Sequence, residues 1–196
     1  RTIEALDFSR LSKDRKKILD LMVTFIQEKK TAQAPIKLHF ICTHNSRRSH
    51  LSQIWAQAMA AYHNDPDVLC YSRGTEAAAI YPMVVKTLVT QGFEIHSVSE
   101  GVNPVYSIHY SESGLALLGF SKTLDHAVNP SNGFAAIMTC DAADQGCPFI
   151  AGAEQRIGLT YKDPKASDGT PQQESVYLER SIQIATELKY VFSRIS

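Results

Sequence analysis

The pattern of apolar positions along the chain predicts an ordered series of helices and strands. Apolar residues recur every three or four positions in a helix, whereas a strand buried on both faces is a short, nearly continuous apolar run. The predicted helices run from about Lys13 to Lys29, His50 to Tyr62, Pro82 to Gln91 and Glu174 to Ile195. The predicted buried strands run from Ile36 to Ile41, Val68 to Ser72, Phe134 to Thr139 and Ile157 to Tyr161.

The order of these elements predicts the fold class. A strand, loop, helix and strand in succession form a βαβ unit, in which the two strands are parallel and the crossover is right-handed. We therefore predict an α/β domain over residues 34–196 with a four-stranded parallel sheet flanked by helices. Residues 1–33 are predicted to form an N-terminal helical extension that packs outside the core unit, with a partner-binding helix as the alternative. Residues 103–130 are predicted to form a β-hairpin insert, because Pro104 to Tyr110 alternates between apolar and polar and a second run, Gly114 to Phe120, follows a Ser-Glu-Ser break. The second run could also be helical.

Composition and charge disfavour several classes of function for this protein. The 196 residues are 44% hydrophobic and carry 20 basic and 20 acidic side chains, so no overall field favours nucleic acid or a membrane surface. No apolar run approaches the about 18 residues of a membrane span, and residues 1–30 lack a signal-peptide pattern. We therefore expect a cytoplasmic protein with four reduced cysteines, an extracellular disulfide framework being the alternative. The seven histidines show no metal-ligand spacing, so no metal site is expected.

A polar loop between the first strand and the second helix is the first candidate site. Cys42 ends the strand and Arg48 follows after five residues, a spacing that lets a thiolate and a guanidinium hold one tetrahedral oxyanion. The loop's N–H groups and the start of the next helix add positive partial charge at the same point, which favours the thiolate. The predicted oxyanion-binding residues are Thr43, His44, Asn45, Ser46, Arg47, Arg48 and Ser49.

Further reactive side chains follow later strands of the predicted sheet. Ligands of an open parallel sheet bind beyond the carboxyl ends of its strands. Cys140 follows the third strand and Asp163 follows the fourth, so both are expected near Cys42, and Cys147 comes seven positions after Cys140. Two unreactive buried cysteines, or half of a zinc site, are the alternative for Cys140 and Cys147. For Asp163 the alternative is a turn initiator.

Two of these runs resemble a known superfamily. The run from Cys42 to Ser49, with Asp163-Pro164 downstream, resembles the low-molecular-weight protein tyrosine phosphatases. The run from Cys140 to Pro148 resembles the thioredoxin-coupled arsenate reductases built on the same fold. The resemblance covers about residue 36 to the C-terminus, apart from the insert, and implies a three-layer fold.

The resemblance also implies a role for each reactive residue. Cys42 attacks the oxyanion, which Arg48 stabilises, while Asp163 protonates the leaving oxygen. In an arsenate reductase, Cys140 then attacks Cys42 and Cys147 completes a disulfide that is passed to thioredoxin or a similar dithiol protein. No bound cofactor is implied. A phosphatase that hydrolyses a Cys42 thiophosphate is the first alternative, and a regulator that binds an anion or senses oxidation without turnover is the second.

Several positions depart from the pattern of the superfamily. Arg47 stands where a second cysteine is frequent, and we expect it to add positive charge beside the anion. His44 replaces a common glycine. Lys165 and Ala166 follow Asp163-Pro164 where the phosphatases usually carry tyrosines that hold an aryl group, which argues against a phosphotyrosine pocket.

Overall fold

A computed structural model describes residues 2–111, 114–146 and 149–196 of the chain. The predicted relay residue Cys147 and its neighbour Pro148 lie outside the described residues, as do residues 112–113 of the insert. None of the described helices combines the length and the apolar composition that a membrane crossing requires.

Five helices, seven strands and one 3₁₀ turn make up the described part of the chain. The helices are α1 (Lys13–Thr31), α2 (Arg48–Tyr62), α3 (Pro82–Thr90), α4 (Asp141–Gly146) and α5 (Gln173–Phe192). The strands are β1 (Ile36–Cys42), β2 (Val68–Gly74), β3 (Glu94–Ser97), β4 (Tyr106–His109), β5 (Leu117–Gly119), β6 (Phe134–Met138) and β7 (Ala153–Gly158). The 3₁₀ turn spans Pro164–Ser167.

The main sheet has the strand order β2-β1-β6-β7, and all three neighbouring pairs are parallel. The predicted four-stranded parallel sheet is therefore confirmed. Leu38, Phe40 and Ile41 of the central strand β1 have no exposed surface, which explains the nearly continuous apolar run. The Thr139 N–H donates to the Ile41 carbonyl at 2.7 Å, so the chain leaves β1 and β6 at the same edge of the sheet.

The two faces of the sheet have separate hydrophobic cores. Leu38, Phe40 and Ile137 contribute to the larger core, which buried side chains of α1, α2 and α5 complete. Phe134 and Met138 contribute to a smaller core, together with Ala143 of α4. Cys42 and Cys140 also belong to this smaller core. Because Cys42 ends β1 and Cys140 follows β6, the smaller core extends to the edge of the sheet where these two strands end.

The N-terminal helix belongs to the larger core. Leu19, Met22 and Ile26 have no exposed surface, and Arg15 forms two hydrogen bonds of 2.8–2.9 Å to the buried carboxylate of Glu187 on α5. The predicted helix is present, but the expectation that it packs outside the core unit is wrong. Its apolar stripe is wide enough to cover both α5 and the sheet.

The insert and the last strand differ from the sequence-based expectation. The β4–β5 hairpin is confirmed, but β3 extends it to a three-stranded antiparallel sheet. The fourth parallel strand is Ala153–Gly158 rather than Ile157 to Tyr161. Both missed segments are edge strands with partly exposed, largely polar side chains, so neither leaves a continuous apolar run in the sequence.

Truncating a buried leucine of α1 tests whether this helix stabilises the domain. Leu19→Ala should lower the free energy of unfolding by about 2–5 kcal/mol, because it leaves a cavity in the larger core. The matched control is Leu21→Ala on the same helix, where the side chain is 44% exposed and the loss should stay below about 1 kcal/mol. Urea denaturation measures both values, and equal effects of the two substitutions would contradict the packing described for α1.

Candidate active site

The loop that follows β1 turns its carbonyl groups outward. Four of its carbonyl oxygens accept hydrogen bonds from outside the loop at 2.8–3.2 Å: Cys42 from the Thr75 N–H, Thr43 from the Glu76 N–H, His44 from the Ser121 hydroxyl and Ser46 from the Tyr81 N–H. In a trans peptide the C=O and N–H groups point in opposite directions. The N–H groups that follow these carbonyls are therefore turned inward, where they form a concave site for an anion.

A buried chain of hydrogen bonds leads to the Cys42 sulfur. The backbone N–H of Lys122 donates to Asn45 Oδ1 at 2.9 Å, and Asn45 Nδ2 donates to Ser49 Oγ at 2.8 Å. Ser49 Oγ lies 3.0 Å from Cys42 Sγ. Because the serine oxygen already accepts from Asn45, its own hydrogen is available to the cysteine sulfur. Asn45 has a φ of 44°, which confirms the expected left-handed backbone at this position.

Arg48 and Asp163 form a pair at the mouth of the loop. Arg48 Nη2 donates to Asp163 Oδ2 at 2.5 Å, and Nη1 donates to the Tyr161 carbonyl at 2.9 Å. The Lys165 N–H donates to the other oxygen of Asp163 at 3.0 Å. The carboxyl group is thus oriented toward the oxyanion loop by two contacts, while about two-fifths of the side chain stays exposed.

Cys140 lies beside the start of the same loop. Its sulfur is 3.5 Å from Thr43 Oγ1 and accepts from the N–H of Ala143 at 3.4 Å. Only 1% of Cys140 and 4% of Cys42 is exposed. The structure therefore brings Cys42, Arg48, Asp163 and Cys140 to one edge of the sheet, whereas Cys147 lies outside the described residues.

The cavity between these groups is small and polar. It has a volume of about 150 Å³, and its described lining consists of Cys42, Thr43, His44, Ser46, Arg47, Arg48, Ala142, Asp163 and Lys165. Pockets for drug-sized ligands usually measure roughly 300–1,000 Å³. None of the described lining side chains is Phe, Tyr or Trp. The cavity suits a tetrahedral oxyanion better than a bulky aromatic ester.

No metal site accompanies these groups in the described chain. Among residues 2–111, 114–146 and 149–196, no three His, Cys, Asp or Glu side chains lie close enough together to hold a metal ion. The cationic groups that could hold an anion are the Arg48 guanidinium and the Lys165 ammonium, together with the loop's N–H groups.

Two of the residues that depart from the superfamily pattern have acidic partners. Arg47 lines the cavity, as expected, but it pairs with Asp168, Nη2 to Oδ2 at 2.7 Å, so much of its positive charge is compensated. His44 Nδ1 lies 3.1 Å from Glu76 Oε2 at the rim of the cavity. Both acidic partners are distant in sequence from the loop, and for this reason the sequence pattern did not reveal the pairing.

The insert supplies contacts to the site that the sequence analysis missed. The Ser121 hydroxyl donates to the His44 carbonyl and accepts from the Ala78 N–H at 2.8 Å, while Asn103 bonds to both backbone groups of Ser121. Lys122 bonds to Asn45 across 77 positions of sequence. No local pattern could have predicted contacts over such a separation.

Lys122 is a buried cation behind the loop. It is 3% exposed, and its ammonium group donates to the Phe120 carbonyl at 3.1 Å. Burial, with repulsion from Arg73 as a smaller cause, lowers the pKa of Lys122 from 10.5 to about 8. In the described part of the chain no carboxylate pairs with this ammonium group. Burial of the charged Lys122 ammonium group therefore lowers the stability of the folded protein.

Comparisons with known proteins support the resemblance. No family model matches the chain. An arsenate reductase of Bacillus licheniformis is 24% identical over 143 residues, which cover 73% of this chain and 84% of that protein. A structure described as an arsenate reductase in the phosphate binding state has a TM-score of 0.55 at 16% identity and covers 82% of this chain and 99% of the neighbour. A low-molecular-weight protein tyrosine phosphatase from T. tengcongensis has a TM-score of 0.54 at 14% identity, with the same coverage of both chains.

These likenesses confirm the resemblance predicted from the motifs. The chain has the fold of the low-molecular-weight phosphatase superfamily, and the curated proteins similar to it in sequence are arsenate reductases. Arsenate reductases and low-molecular-weight phosphatases are both enzymes, which agrees with the prediction that this protein is one.

Gly74→Ala should weaken anion binding. A Cβ at Gly74 would lie 2.5 Å from the Glu76 carbonyl oxygen and 2.6 Å from that of Thr43, so the backbone of the oxyanion loop would have to move. We expect the dissociation constant of inorganic phosphate to rise at least about tenfold. Isothermal titration calorimetry measures it, with Gly146→Ala as the control because a Cβ there meets no atom within 4 Å. Unchanged affinity in Gly74→Ala would contradict the inward orientation of the loop's N–H groups.

Lys122→Met should stabilise the protein most below pH 8. There Lys122 is charged in both the folded and the unfolded chain, so the unfavourable burial of its charge is fully present. Between pH 8 and 10.5 only the folded chain loses the proton, so the unfolding free energy of wild type rises by about 3 kcal/mol relative to the variant. Urea denaturation of both proteins at pH 7 and 10.5 measures the change. A difference between them that is independent of pH would contradict the lowered pKa.

Proposed function

We propose that the protein reduces arsenate to arsenite by a three-cysteine relay, with thioredoxin or a similar dithiol protein as the reductant. The observation that carries the proposal is the position of Cys140, whose sulfur lies 3.5 Å from the hydroxyl of Thr43, the residue next to Cys42. Both cysteines belong to the same buried cluster at the sheet edge. A phosphatase needs the first of these thiols, whereas a reductase needs both.

In the first step the Cys42 thiolate attacks arsenic. An S–As bond forms while an As–O bond breaks, and the leaving oxygen takes a proton from Asp163 and departs as water. Arg48 and the inward N–H groups of the loop stabilise the added negative charge in a cavity of about 150 Å³. The Ser49 hydroxyl, 3.0 Å from the Cys42 sulfur, can donate a hydrogen bond that orients the attacking sulfur.

In the second step the Cys140 thiolate attacks the Cys42 sulfur. A Cys42–Cys140 disulfide forms and the S–As bond breaks, with its electron pair remaining on arsenic, so that As(V) leaves as As(III) in arsenite. The contact with the Thr43 hydroxyl and the hydrogen bond from the Ala143 N–H hold the Cys140 sulfur beside the start of the oxyanion loop. The two thiols supply the two electrons that the reduction consumes.

In the third step Cys147 attacks the Cys140 sulfur and releases the Cys42 thiolate. The Cys140–Cys147 disulfide that results is reduced by the external dithiol, which returns the enzyme to its starting state. Sequence spacing alone supports this step, since Cys147 lies outside the described residues. The arsenate reductase name of the curated relatives supports the overall reaction.

Hydrolysis of phosphomonoesters is the second candidate function. Its support is the Arg48–Asp163 pair, because a phosphatase uses the same cation and the same general acid. The size of the cavity and the lack of Phe, Tyr and Trp in its described lining disfavour phosphotyrosine and favour small esters.

Cysteine variants test the relay. Arsenate-dependent oxidation of NADPH, coupled through thioredoxin and its reductase, should fall at least about 100-fold in Cys42→Ser, Cys140→Ser and Cys147→Ser. Cys70→Ala is the matched control and should retain wild-type turnover, because burial raises the pKa of the Cys70 thiol and keeps it unreactive.

Aryl phosphate hydrolysis in the same variants separates the two candidate functions. Full arsenate turnover in Cys140→Ser or Cys147→Ser would refute the relay. The phosphatase would be favoured if the wild-type enzyme does not turn over arsenate but hydrolyses an aryl phosphate, and if only Cys42→Ser loses that hydrolysis. A reversible disulfide without turnover of either substrate would favour a regulator.

A further inference from the structure

We propose that Arg47 is a positioning residue that holds the general acid Asp163 in place. It acts through residues 161–168, which we call the acid segment, and not through contact with the anion. The inference rests on the proposed function in one respect, the role of Asp163 as the proton donor. Arg47 stands where the superfamily frequently has a second cysteine, so this contact belongs to the present chain.

The Arg47 side chain closes a ring of three hydrogen bonds. Nη2 donates to Asp168 Oδ2 at 2.7 Å and Nε donates to the Tyr177 hydroxyl at 2.6 Å, while that hydroxyl donates to Asp168 Oδ1 at 2.7 Å. The guanidinium carbon lies 4.1 Å from the centre of the Tyr81 ring. Only 12% of the Arg47 side chain is exposed. Charge pairing, hydrogen bonds and ring stacking thus fix this arginine in one orientation.

The acid segment is held at both ends by adjacent arginines. Arg48 binds the Tyr161 carbonyl and the Asp163 carboxylate at the beginning of the segment, and Arg47 binds Asp168 at its end. Because both arginines lie where the oxyanion loop meets α2, the loop sets the position of the segment that carries the acid.

The residues between these two anchors form a short rigid unit. The 3₁₀ turn Pro164–Ser167 is closed by a hydrogen bond of 2.7 Å from the Ser167 hydroxyl to the Pro164 carbonyl. The Asp168 N–H donates to the Lys165 carbonyl at 3.0 Å, and both Pro164 and Ser167 are buried. A displacement of Asp168 is therefore transmitted to Asp163 and not absorbed by the intervening chain.

This arrangement separates the roles of the two arginines. Asp168 neutralises Arg47, so Arg47 adds little charge for an anion, whereas the acid depends on it for position. Loosening the ring should therefore impair protonation of the leaving group and leave anion affinity nearly unchanged. General acid catalysis typically contributes about 10²–10⁴-fold to the rate, and even partial misplacement of the acid should be measurable.

Tyr177→Phe tests the proposal with little change in packing, because it removes only the hydroxyl shared by Arg47 and Asp168. Tyr190→Phe is the matched control: it lies on the same helix, and its hydroxyl donates at 2.8 Å to Asp20, far from the site. Asp168→Asn is a second variant that keeps the shape of the side chain but removes the charge that pairs with Arg47.

The kinetic probes are two aryl phosphates whose leaving groups differ in their need for a proton. Phenyl phosphate has a poor leaving group that requires the acid, and 4-nitrophenyl phosphate has a good one that does not. In Tyr177→Phe and Asp168→Asn we expect kcat for phenyl phosphate to fall about tenfold more than kcat for 4-nitrophenyl phosphate. KM should stay nearly unchanged in Tyr177→Phe, whereas it should fall in Asp168→Asn, because that variant leaves the charge of Arg47 uncompensated at the cavity. In Tyr190→Phe both should stay at the wild-type level. Equal losses on the two esters in Tyr177→Phe would overturn the proposal.

Amide hydrogen exchange provides a readout that does not depend on activity. The N–H groups of Lys165 and Asp168, which bond within the acid segment, should exchange at least about tenfold faster in Tyr177→Phe than in Tyr190→Phe. Unchanged exchange in Tyr177→Phe would refute the positioning role. If the wild-type protein turns over neither arsenate nor an aryl ester, the proposed function fails, and the exchange rates still decide whether Arg47 holds the segment.

Discussion

The candidate site depends on the outward hydrogen bonding of the carbonyl groups in the oxyanion loop. A buried backbone C=O needs a partner as much as an N–H does, so the loop can offer its N–H groups to an anion only if other residues take its carbonyls. Thr75 and Glu76, just after β2, take two of them, Tyr81 at the start of α3 takes a third and Ser121 of the insert takes the fourth. The anion site is therefore a product of the whole fold, although its reactive residues lie in one short run of sequence.

The strands that are buried on both faces could be predicted from the sequence, whereas the edge strands with one exposed face largely could not. Strands β1 and β6 are buried on both faces and leave apolar runs, and from these runs Cys42 and Cys140 could be assigned to the same edge of the sheet. The edge strands β3 and β7 carry polar residues on an exposed face, so β3 was missed and β7 was misplaced. Helix periodicity identified α1, but could not show that it joins the larger core.

The motif could not predict which distant residues form hydrogen bonds with the oxyanion loop. Asp168 and Tyr177 are 121 and 130 positions from Arg47, and Lys122 is 77 positions from Asn45. Motif spacing identifies the residues that contact the anion, because chemistry fixes their separation along the loop. It does not identify the residues that hold the loop, since any part of the fold can supply a hydrogen bond. For this reason the sequence did not show that Asp168 pairs with Arg47.

In the proposed relay the Cys42 thiolate is an electron carrier and not only a hydrolytic nucleophile. A single-turnover experiment on Cys147→Ser tests it most directly, because that variant should stop after the second step. After exposure to arsenate without a reductant, peptide mass spectrometry should find a Cys42–Cys140 disulfide, accompanied by one equivalent of arsenite per protein. Free thiols at both positions, with no arsenite formed, would contradict the account.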